Sequence, residues 1–386
     1  MTGLIPVTII QTQLSDKMKK TIFISFAALC ILSCSKQDVA YDGGAEVVID
    51  ASIHSDAQSR AVLSGTEFVH DNTIGLFVYH ADTDDNVPME NFTLYGNRYG
   101  NIHGQIKISG ATSYWKYKFE NASTTFDNIY LMKPSNKVYR DDRALKICGY
   151  APWIADVKSI TSIPFSLGGL SKDIKDYMWV TQNGTADKIV FPETITQDTK
   201  LGVKLTFNHA MALLKIGFRC EFDDKSAGAD YVGTTMSVSS VTLKRNPEAT
   251  WANQTPLHTA GTLDALTGAL SYTDGTDGTG VLTIDYSDDT AYSFAYKPGN
   301  NYMFVPMLIC PETYQNDDDY ILEFTLNGMT LPTTYKIKMS DVEGGFKAGH
   351  VYTFKFTFDN TINFKNIKVE VAKPDQWTLE SINLPF

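Results

Sequence analysis

The 386-residue sequence has few cysteines, a shortage of basic residues and no long apolar run. Its five cysteines are too few for a disulfide scaffold. With 33 Lys and Arg against 44 Asp and Glu, the formal net charge is −11. This balance argues against nucleic-acid binding, because phosphate contacts require basic patches. The apolar run TIFISFAALCILS (21–33) would span about 20 Å as a helix, short of a hydrocarbon core of about 30 Å, so a transmembrane helix is not expected.

The sequence also lacks the motifs that carry common enzyme chemistry. It contains no HExxH, no Gly-x-Ser-x-Gly, no P-loop and no Cys/His signature. The segment 82–93 begins like a calcium loop, but Val87 stands where glycine is needed and Thr93 replaces the final glutamate. The segment DGTDGTG (274–280) is first a turn signal. We therefore expect no catalytic residues, no metal and no cofactor, and a protein that is not an enzyme.

The N-terminal residues have the pattern of an export signal. A positively charged stretch precedes the apolar run, and Cys34 follows it. Residues 31–34 resemble a bacterial lipobox, which predicts cleavage between Ser33 and Cys34 and acylation of the Cys34 side chain. Residues 1–33 are thus predicted to be a lipoprotein signal peptide, with 1–17 an over-called start. The alternative is an ordinary signal peptide in which Cys34 is incidental.

After residue 45 the sequence is a series of short alternating strands between turn clusters, without any long segment of helical period. Regular short strands with Gly- and Asp-rich turns predict an all-β protein made of β-sandwiches. In the first of these strands, alternate residues form one apolar face: Val47, Ile49, Ala51 and Ile53.

The domain organisation follows from the least apolar stretch near mid-chain, residues 191–200. It predicts an N-terminal β-sandwich over 61–200 and a C-terminal β-sandwich over 201–386. Residues 35–45 are predicted to be a polar tether, within a lipidated propeptide over 34–60 that also contains the first strand.

Several single residues are predicted to serve packing rather than chemistry. Buried free thiols are expected at Cys148, Cys220 and Cys310. His209 is expected to be a satisfied histidine at a strand end. Core or interdomain packing, rather than a sugar platform, is expected of Trp115, Trp153, Trp179 and Trp377.

Five segments together resemble the Bacteroidales fimbrillins, the FimA/Mfa-like fimbrial subunits, and occur in that family's order. They are SRAVLSGTEFVHDNTIGLFVY (59–79), ALKICGYAPW (144–153), VKLTFNHAMALLKIGF (203–218), NYMFVPMLIC (301–310) and FKAGHVYTFKFTF (346–358). The resemblance implies two tandem transthyretin-like β-sandwich domains behind a lipoprotein signal peptide. It also implies export through the periplasm to the cell outer membrane, cleavage by an arginine-specific protease, release of the first strand, and polymerisation when a strand of another subunit fills the groove.

The resemblance maps onto particular residues of this sequence. The bond between Arg60 and Ala61 follows a polar segment and corresponds to the processing site. The strand with Val47, Ile49, Ala51 and Ile53 corresponds to the removable strand. Two C-terminal faces are candidates for the donor strand: Ile367, Val369 and Val371, and Ile382, Leu384 and Phe386. The alternatives are that Arg60 is a solvated linker residue and that both C-terminal segments are ordinary strands of their own domain.

Three functions compete on this sequence. The first is a structural subunit of a surface fimbrium, whose partners are other fimbrial subunits. The second is a tip or accessory adhesin that binds a host or bacterial surface ligand without self-polymerising. The third, a surface lipoprotein enzyme, lacks any catalytic constellation in the sequence.

Overall fold

The fold is seen in a computed structural model, which describes part of the chain. The described residues are 45–53, 68, 71–80, 93–94, 97–98, 100–109, 112–119, 126–131, 145–181, 196–220, 235–248, 257–273, 280–295, 301–313, 320–327, 333–358, 367–373 and 375–376. Within them the structure is built from strands, and the helical segments are three short 3-10 turns at Ser171–Asp173, Thr290–Tyr292 and Met339–Asp341. The predicted all-β sandwich class is confirmed.

The first half of the chain contributes twelve strands. They are β1 (Ala45–Ile53), β2 (Thr73–His80), β3 (Thr93–Leu94), β4 (Asn97–Arg98), β5 (Ile102–Ser109), β6 (Thr112–Lys118), β7 (Ile129–Leu131), β8 (Leu145–Ala151), β9 (Ile163–Ser166), β10 (Gly169–Leu170), β11 (Met178–Thr181) and β12 (Lys200–His209).

The second half contributes fourteen. They are β13 (Ala212–Cys220), β14 (Thr235–Arg245), β15 (Ala260–Leu263), β16 (Leu270–Tyr272), β17 (Val281–Asp285), β18 (Ser293–Ala295), β19 (Met303–Ile309), β20 (Glu312–Thr313), β21 (Tyr320–Leu326), β22 (Thr333–Ile337), β23 (Gly345–Phe346), β24 (His350–Phe358), β25 (Ile367–Val371) and β26 (Asp375–Gln376).

Eight strands form the first sheet, in the order β6-β5-β2-β8-β11-β12-β1-β7. The two ends of this sheet approach each other. The backbone of Tyr117 in β6 exchanges two hydrogen bonds of 2.8 Å with Asp127, which lies just before β7. Phe68 packs edge-on between Trp115 of β6 and Phe207 of β12, with ring centroids 5.3 and 5.2 Å apart. The sheet therefore curls around its own apolar face.

The strand β12 belongs to this first sheet. It pairs antiparallel with β11 and parallel with β1, with Glu46 beside Lys200 and Ile53 beside Phe207. The predicted domain limits assign residues 201–209 to the C-terminal sandwich, whereas β12 pairs with strands of the first sheet. The chain changes sheets at residues 210–211, after β12. The sequence did not reveal this crossing, because an alternating apolar pattern shows which face of a strand is buried but not which strands lie beside it. The domain limits themselves remain a prediction.

The second half contains two larger sheets packed face to face. One has the order β19-β13-β24-β25, with β26 also on β24, and the other has the order β10-β17-β14-β21-β22, with β18 also on β14. An aromatic cluster joins them, because Phe324 of β21 lies 5.0 Å from Phe218 of β13 and 4.8 Å from Phe356 of β24, between ring centroids. Aromatic pairs at these separations add stability beyond the area that they bury.

Two short strands from the first half of the chain pair with strands of the second half. The strand β9 pairs with β15, and β10 pairs with β17. Next to β10, the Ser171 hydroxyl donates to Asp289 Oδ2 at 3.3 Å. The Trp179 ring lies directly against the Gly268 backbone and occupies the space that a Cβ at this position would need. The two halves are therefore connected by hydrogen bonds and by side-chain packing.

Candidate functional site

A cleft of about 440 Å³ lies where the two ends of the first sheet meet. The β1 backbone forms one side, and β6 forms the other. The lining residues are Glu46, Val47, Val48, Ile49, Ser113, Tyr114, Trp115, Lys116, Tyr117, Asn128 and Lys200. We call this feature the seam cleft. It is the place where β1 meets the opposite end of its own sheet.

The β1 strand turns its apolar face inward, as its alternation predicts. Val47, Ile49 and Ile53 are buried, and Ala51 packs against the core at partial exposure. Val48, on the opposite face, is 42% exposed. The predicted burial of this strand face is confirmed, whereas its removal by processing stays a prediction.

The hydrogen bonding of β1 is uneven along its two edges. Eight residues, Glu46 to Ile53, are in register with β12 along one edge. On the other edge only Ala45 to Val47 pair, with β7. From Val48 onward this second edge has no strand partner within the described part of the chain. This part of the edge faces the seam cleft, with Ile49 and Tyr117 both in its lining.

Polar side chains close one end of the seam cleft. Asn128 Nδ2 donates to Glu46 Oε1 at 2.7 Å, and Lys116 Nζ donates to Asn128 Oδ1 at 2.7 Å. Lys200 Nζ lies 3.7 Å from Glu46 Oε2. The Glu46 carboxylate thus connects β1 to β6 through Asn128, and to β12 through Lys200.

The floor of the cleft is aromatic. Trp115 and Tyr117 of β6 are buried, and burial raises the pKa of the Tyr117 hydroxyl, with a smaller contribution from the Glu46 charge. The sequence predicts packing for Trp115 but does not identify β6, Tyr117 or Asn128 as neighbours of β1. The signal that could have found this strand is the alternation of Tyr114, Lys116 and Lys118 with Trp115 and Tyr117.

Of the two predicted donor faces, one lies partly within the described residues. The strand β25 pairs antiparallel with β24, and Phe354 stands opposite Val371. Val369 and Val371 are partly buried against the core. The Ile367 side chain and the residues Ile382, Leu384 and Phe386 lie outside what the structure describes. Their role as a donor strand stays a prediction.

The processing residues also lie outside the described ranges: Ser33, Cys34, Arg60 and Ala61. None of the described helical segments is long and apolar enough to cross a membrane. In the same part of the chain, no group of three or more His, Cys, Asp and Glu side chains is arranged to hold a metal ion.

The single residues assigned to packing are found in such roles wherever they are described. Cys148 and Cys310 are buried free thiols, and burial raises the pKa of Cys148 to about 12. His209 Nδ1 lies 2.7 Å from Asp176 Oδ2, which makes it a hydrogen-bonded histidine at a strand end. The side chain of Cys220 and the whole of Trp377 are not described.

The described tryptophans pack against neighbouring side chains or backbone. Trp115 belongs to the core of the first sheet, and Trp179 packs on Gly268. Trp153 stacks on His103 at 4.0 Å between ring centroids.

Comparison with known proteins identifies a matching family and similar solved structures. Residues 59–373 match the sequence profile of a family described as fimbrillin-like. No curated protein sequence matches the chain significantly. One similar solved structure is a Bacteroides fragilis protein with a proposed role in cell adhesion, at 13% identity and a TM-score of 0.50, covering 86% of this chain and 98% of that one. Another is a Bacteroides ovatus protein with the same proposed role, at 16% identity and a TM-score of 0.49, covering 86% and 97%.

The likeness to the Bacteroides fragilis structure shows a shared fold. The profile match covers more than half of the sequence. The match extends from the segment before β2 to the end of β25 and so includes both larger groups of sheets. The chain belongs to the fimbrillin-like family.

Proposed function

We propose that this chain is the precursor of a fimbrial subunit, exported as a lipoprotein acylated at Cys34, cut after Arg60 and polymerised by strand exchange. Membership of the fimbrillin-like family supports the fimbrial role. On this proposal the precursor passes through the periplasm to the cell outer membrane, and the mature protein forms part of a surface fimbrium. Its partners are other subunits of the same fibre.

The observation that carries the proposal is the position of β1. Its inward side chains Val47, Ile49 and Ile53 fill the core of the first sheet, and β1 precedes Arg60 in the sequence. Burial of three such side chains contributes roughly 5 to 9 kcal/mol. Loss of β1 would open an apolar groove along the edge of β12, and an incoming strand would recover both the burial and the backbone pairing.

The direct test is cleavage by an arginine-specific protease. We expect a product that begins at Ala61, followed by ladders of SDS-resistant oligomers. The variant Arg60→Gln should remain uncut at this site and monomeric, whereas the control Arg140→Gln should still be cut at Arg60 and polymerise. A protein that stays monomeric after verified cleavage at Arg60 would contradict polymerisation by strand exchange.

A second test separates the precursor from the polymer. Ile49→Ala should lower the free energy of unfolding of the precursor by about 2 to 4 kcal/mol, because it opens a cavity in the core. The same change should leave the melting of the polymer unaltered, since the polymer no longer contains β1. Val48→Ala is the matched control, because Val48 points to solvent. A polymer weakened by Ile49→Ala would mean that β1 stays in place.

One observation favours a second candidate, a tip or accessory adhesin that accepts a strand but gives none. The proposed donor β25 already pairs with β24, in five register positions, and its Val369 and Val371 pack on their own core. Such a subunit would bind a host or bacterial surface ligand. After cleavage it should capture one donor subunit in a one-to-one complex and should not form ladders of oligomers. Measuring the size of the complex therefore distinguishes a tip or accessory subunit from a polymerising subunit.

A further inference from the structure

A compact group of cations and aromatic rings lies on the outer face of the sheet that contains β13 and β24. Its members are Lys215 and Arg219 of β13, Lys355 of β24, and Tyr302 and Phe304 at the start of β19. We call this group the basic patch. It stands out because the chain as a whole carries a formal charge of −11.

Strand register brings the three cations together. The strands β13 and β24 run parallel, with Lys355 beside Gly217. Lys215 and Arg219 are each two residues from Gly217, so all three cationic side chains leave the same face of the sheet. The opposite face carries the buried Ile216 and Phe218. The cations therefore point away from the core.

The aromatic rings hold these cations in place. Lys215 Nζ lies 4.7 Å from the Phe304 ring centroid, and the Arg219 guanidinium carbon lies 4.4 Å from that of Tyr302. Lys355 Nζ lies 5.4 Å from the Tyr302 centroid. Cation–π contacts at these distances are attractive. They limit the motion of the cations and so reduce the entropy lost when a ligand binds.

Backbone and hydroxyl contacts fix the rings in turn. The Phe304 ring lies so close to Gly217 that a Cβ there would meet it at 2.6 Å. The Tyr302 and Thr357 hydroxyls are 2.8 Å apart, and Arg219 Nε donates to Thr357 Oγ1 at 3.3 Å. The basic patch is therefore ordered before any ligand arrives.

The electrostatics of the patch favour an anion. The pKa of Lys215 is lowered, because its ammonium group is partly withdrawn from water and lies near the positive Lys355. Glu370 is the carboxylate in register with Lys355, on β25, and is exposed. The ion pairs between described residues do not include Lys215 or Lys355, whereas they do include Lys107 and Lys244. Among the described residues, three cationic side chains therefore stand against one carboxylate in register with them.

We propose that the basic patch binds an anionic polysaccharide through sulfate or carboxylate groups. Guanidinium and ammonium groups both bind such anions through charge-assisted hydrogen bonds. The rings are covered by cations, so the patch offers charge without the apolar centre of a protein–protein interface. The proposal stands apart from strand exchange, because it needs neither cleavage nor polymerisation.

The test is retention of the purified, uncleaved protein on immobilised heparin, a sulfated polysaccharide, at about 0.1 M NaCl. We expect retention on heparin and none on neutral agarose. The double variant Lys215→Gln with Lys355→Gln should bind about tenfold more weakly or worse, through loss of two charged contacts. Its elution should also depend less steeply on salt. Lys215→Arg with Lys355→Arg should keep the binding, since it keeps both charges.

The matched control is Lys172→Gln with Lys175→Gln, which removes two exposed lysines from the first half. It should elute with the wild type. Circular dichroism and thermal melting verify that each variant is folded. The proposal is overturned if the wild type passes through heparin as it does through agarose, or if the two Gln pairs weaken binding equally. Tighter binding to polyglutamate than to heparin would also overturn it, by identifying an acidic polypeptide as the ligand.

Discussion

His209 Nδ1 lies 2.7 Å from Asp176 Oδ2, with both side chains almost completely removed from solvent. The pair is placed where the chain leaves β12 for β13. Next to it, the Ala210 N–H donates to the Tyr177 carbonyl at 2.8 Å, and the Gly349 N–H donates to the Met211 carbonyl at 2.9 Å. The crossing between the two large groups of sheets is therefore held by a buried side-chain pair and by backbone bonds to both groups.

Removal of one member of this pair should be costly. We expect Asp176→Ala to lower the free energy of unfolding by about 3 kcal/mol, because the imidazole of His209 would lose its buried partner. Urea denaturation measures the change. Asp173→Ala, at an exposed position three residues earlier, should change stability by less than about 0.5 kcal/mol. Equal effects at the two positions would refute a special role for the buried pair.

Contact between the halves can be tested at Gly268. Its φ of +77° and the Trp179 ring, which fills the space beside its Cα, both oppose any larger residue. Gly268→Ala should therefore lower the free energy of unfolding by more than the roughly 1 kcal/mol expected from backbone strain alone. Gly344→Ala isolates that strain, because Gly344 has a φ of +85° and open space around it. Thermal melting that gives equal losses for both would argue against tight packing of Trp179.

The stability of the first half should depend on pH through His103. Burial, with a smaller contribution from the Lys118 charge, lowers the pKa of His103 from 6.5 to about 4. The ring lies between Trp153 and Phe126, at centroid distances of 4.0 and 4.9 Å. The folded state disfavours the protonated ring. The contribution of His103 to the free energy of unfolding is therefore complete above pH 6.5 and is lost as the pH falls toward 4.

The variant His103→Phe keeps an aromatic ring in this position but cannot be protonated. The urea midpoint of the wild type should therefore fall further between pH 7 and pH 4.5 than that of His103→Phe. Lys118→Gln should reduce the difference without abolishing it, since burial is the larger cause. Parallel curves for wild type and His103→Phe would show that the ring does not contribute in this range.

Much of the fold could be predicted from local pattern. Alternation correctly predicted the inward face of β1. Every second side chain of a strand points to the same face, and the face that packs on the core is apolar. The same reasoning predicted short strands after residue 45, and β2, β13 and β24 are among the strands observed. It also identified His209 as a hydrogen-bonded strand-end residue, although not its partner Asp176, which lies 33 residues away in sequence.

Strand partners could not be predicted in this way. The pairing of β1 with β12 joins residues about 150 positions apart, and nothing in either segment specifies the other. The attachment of β9 to β15 is similar, since Ile163 meets Leu263 across the predicted domain limit. Register arises from the complementarity of whole faces and from chain connections, which a single segment does not contain. The seam cleft depends on such pairings and was missed for this reason.

The parallel pairing of β1 and β12 also has a mechanical consequence. Ala45 begins β1 beside the start of β12, while His209, at the other end of β12, leads into the second group of sheets. A pulling force applied between Ala45 and residue 210 therefore acts along the two strands. It loads their eight register positions together in shear, instead of opening them one after another like a zipper.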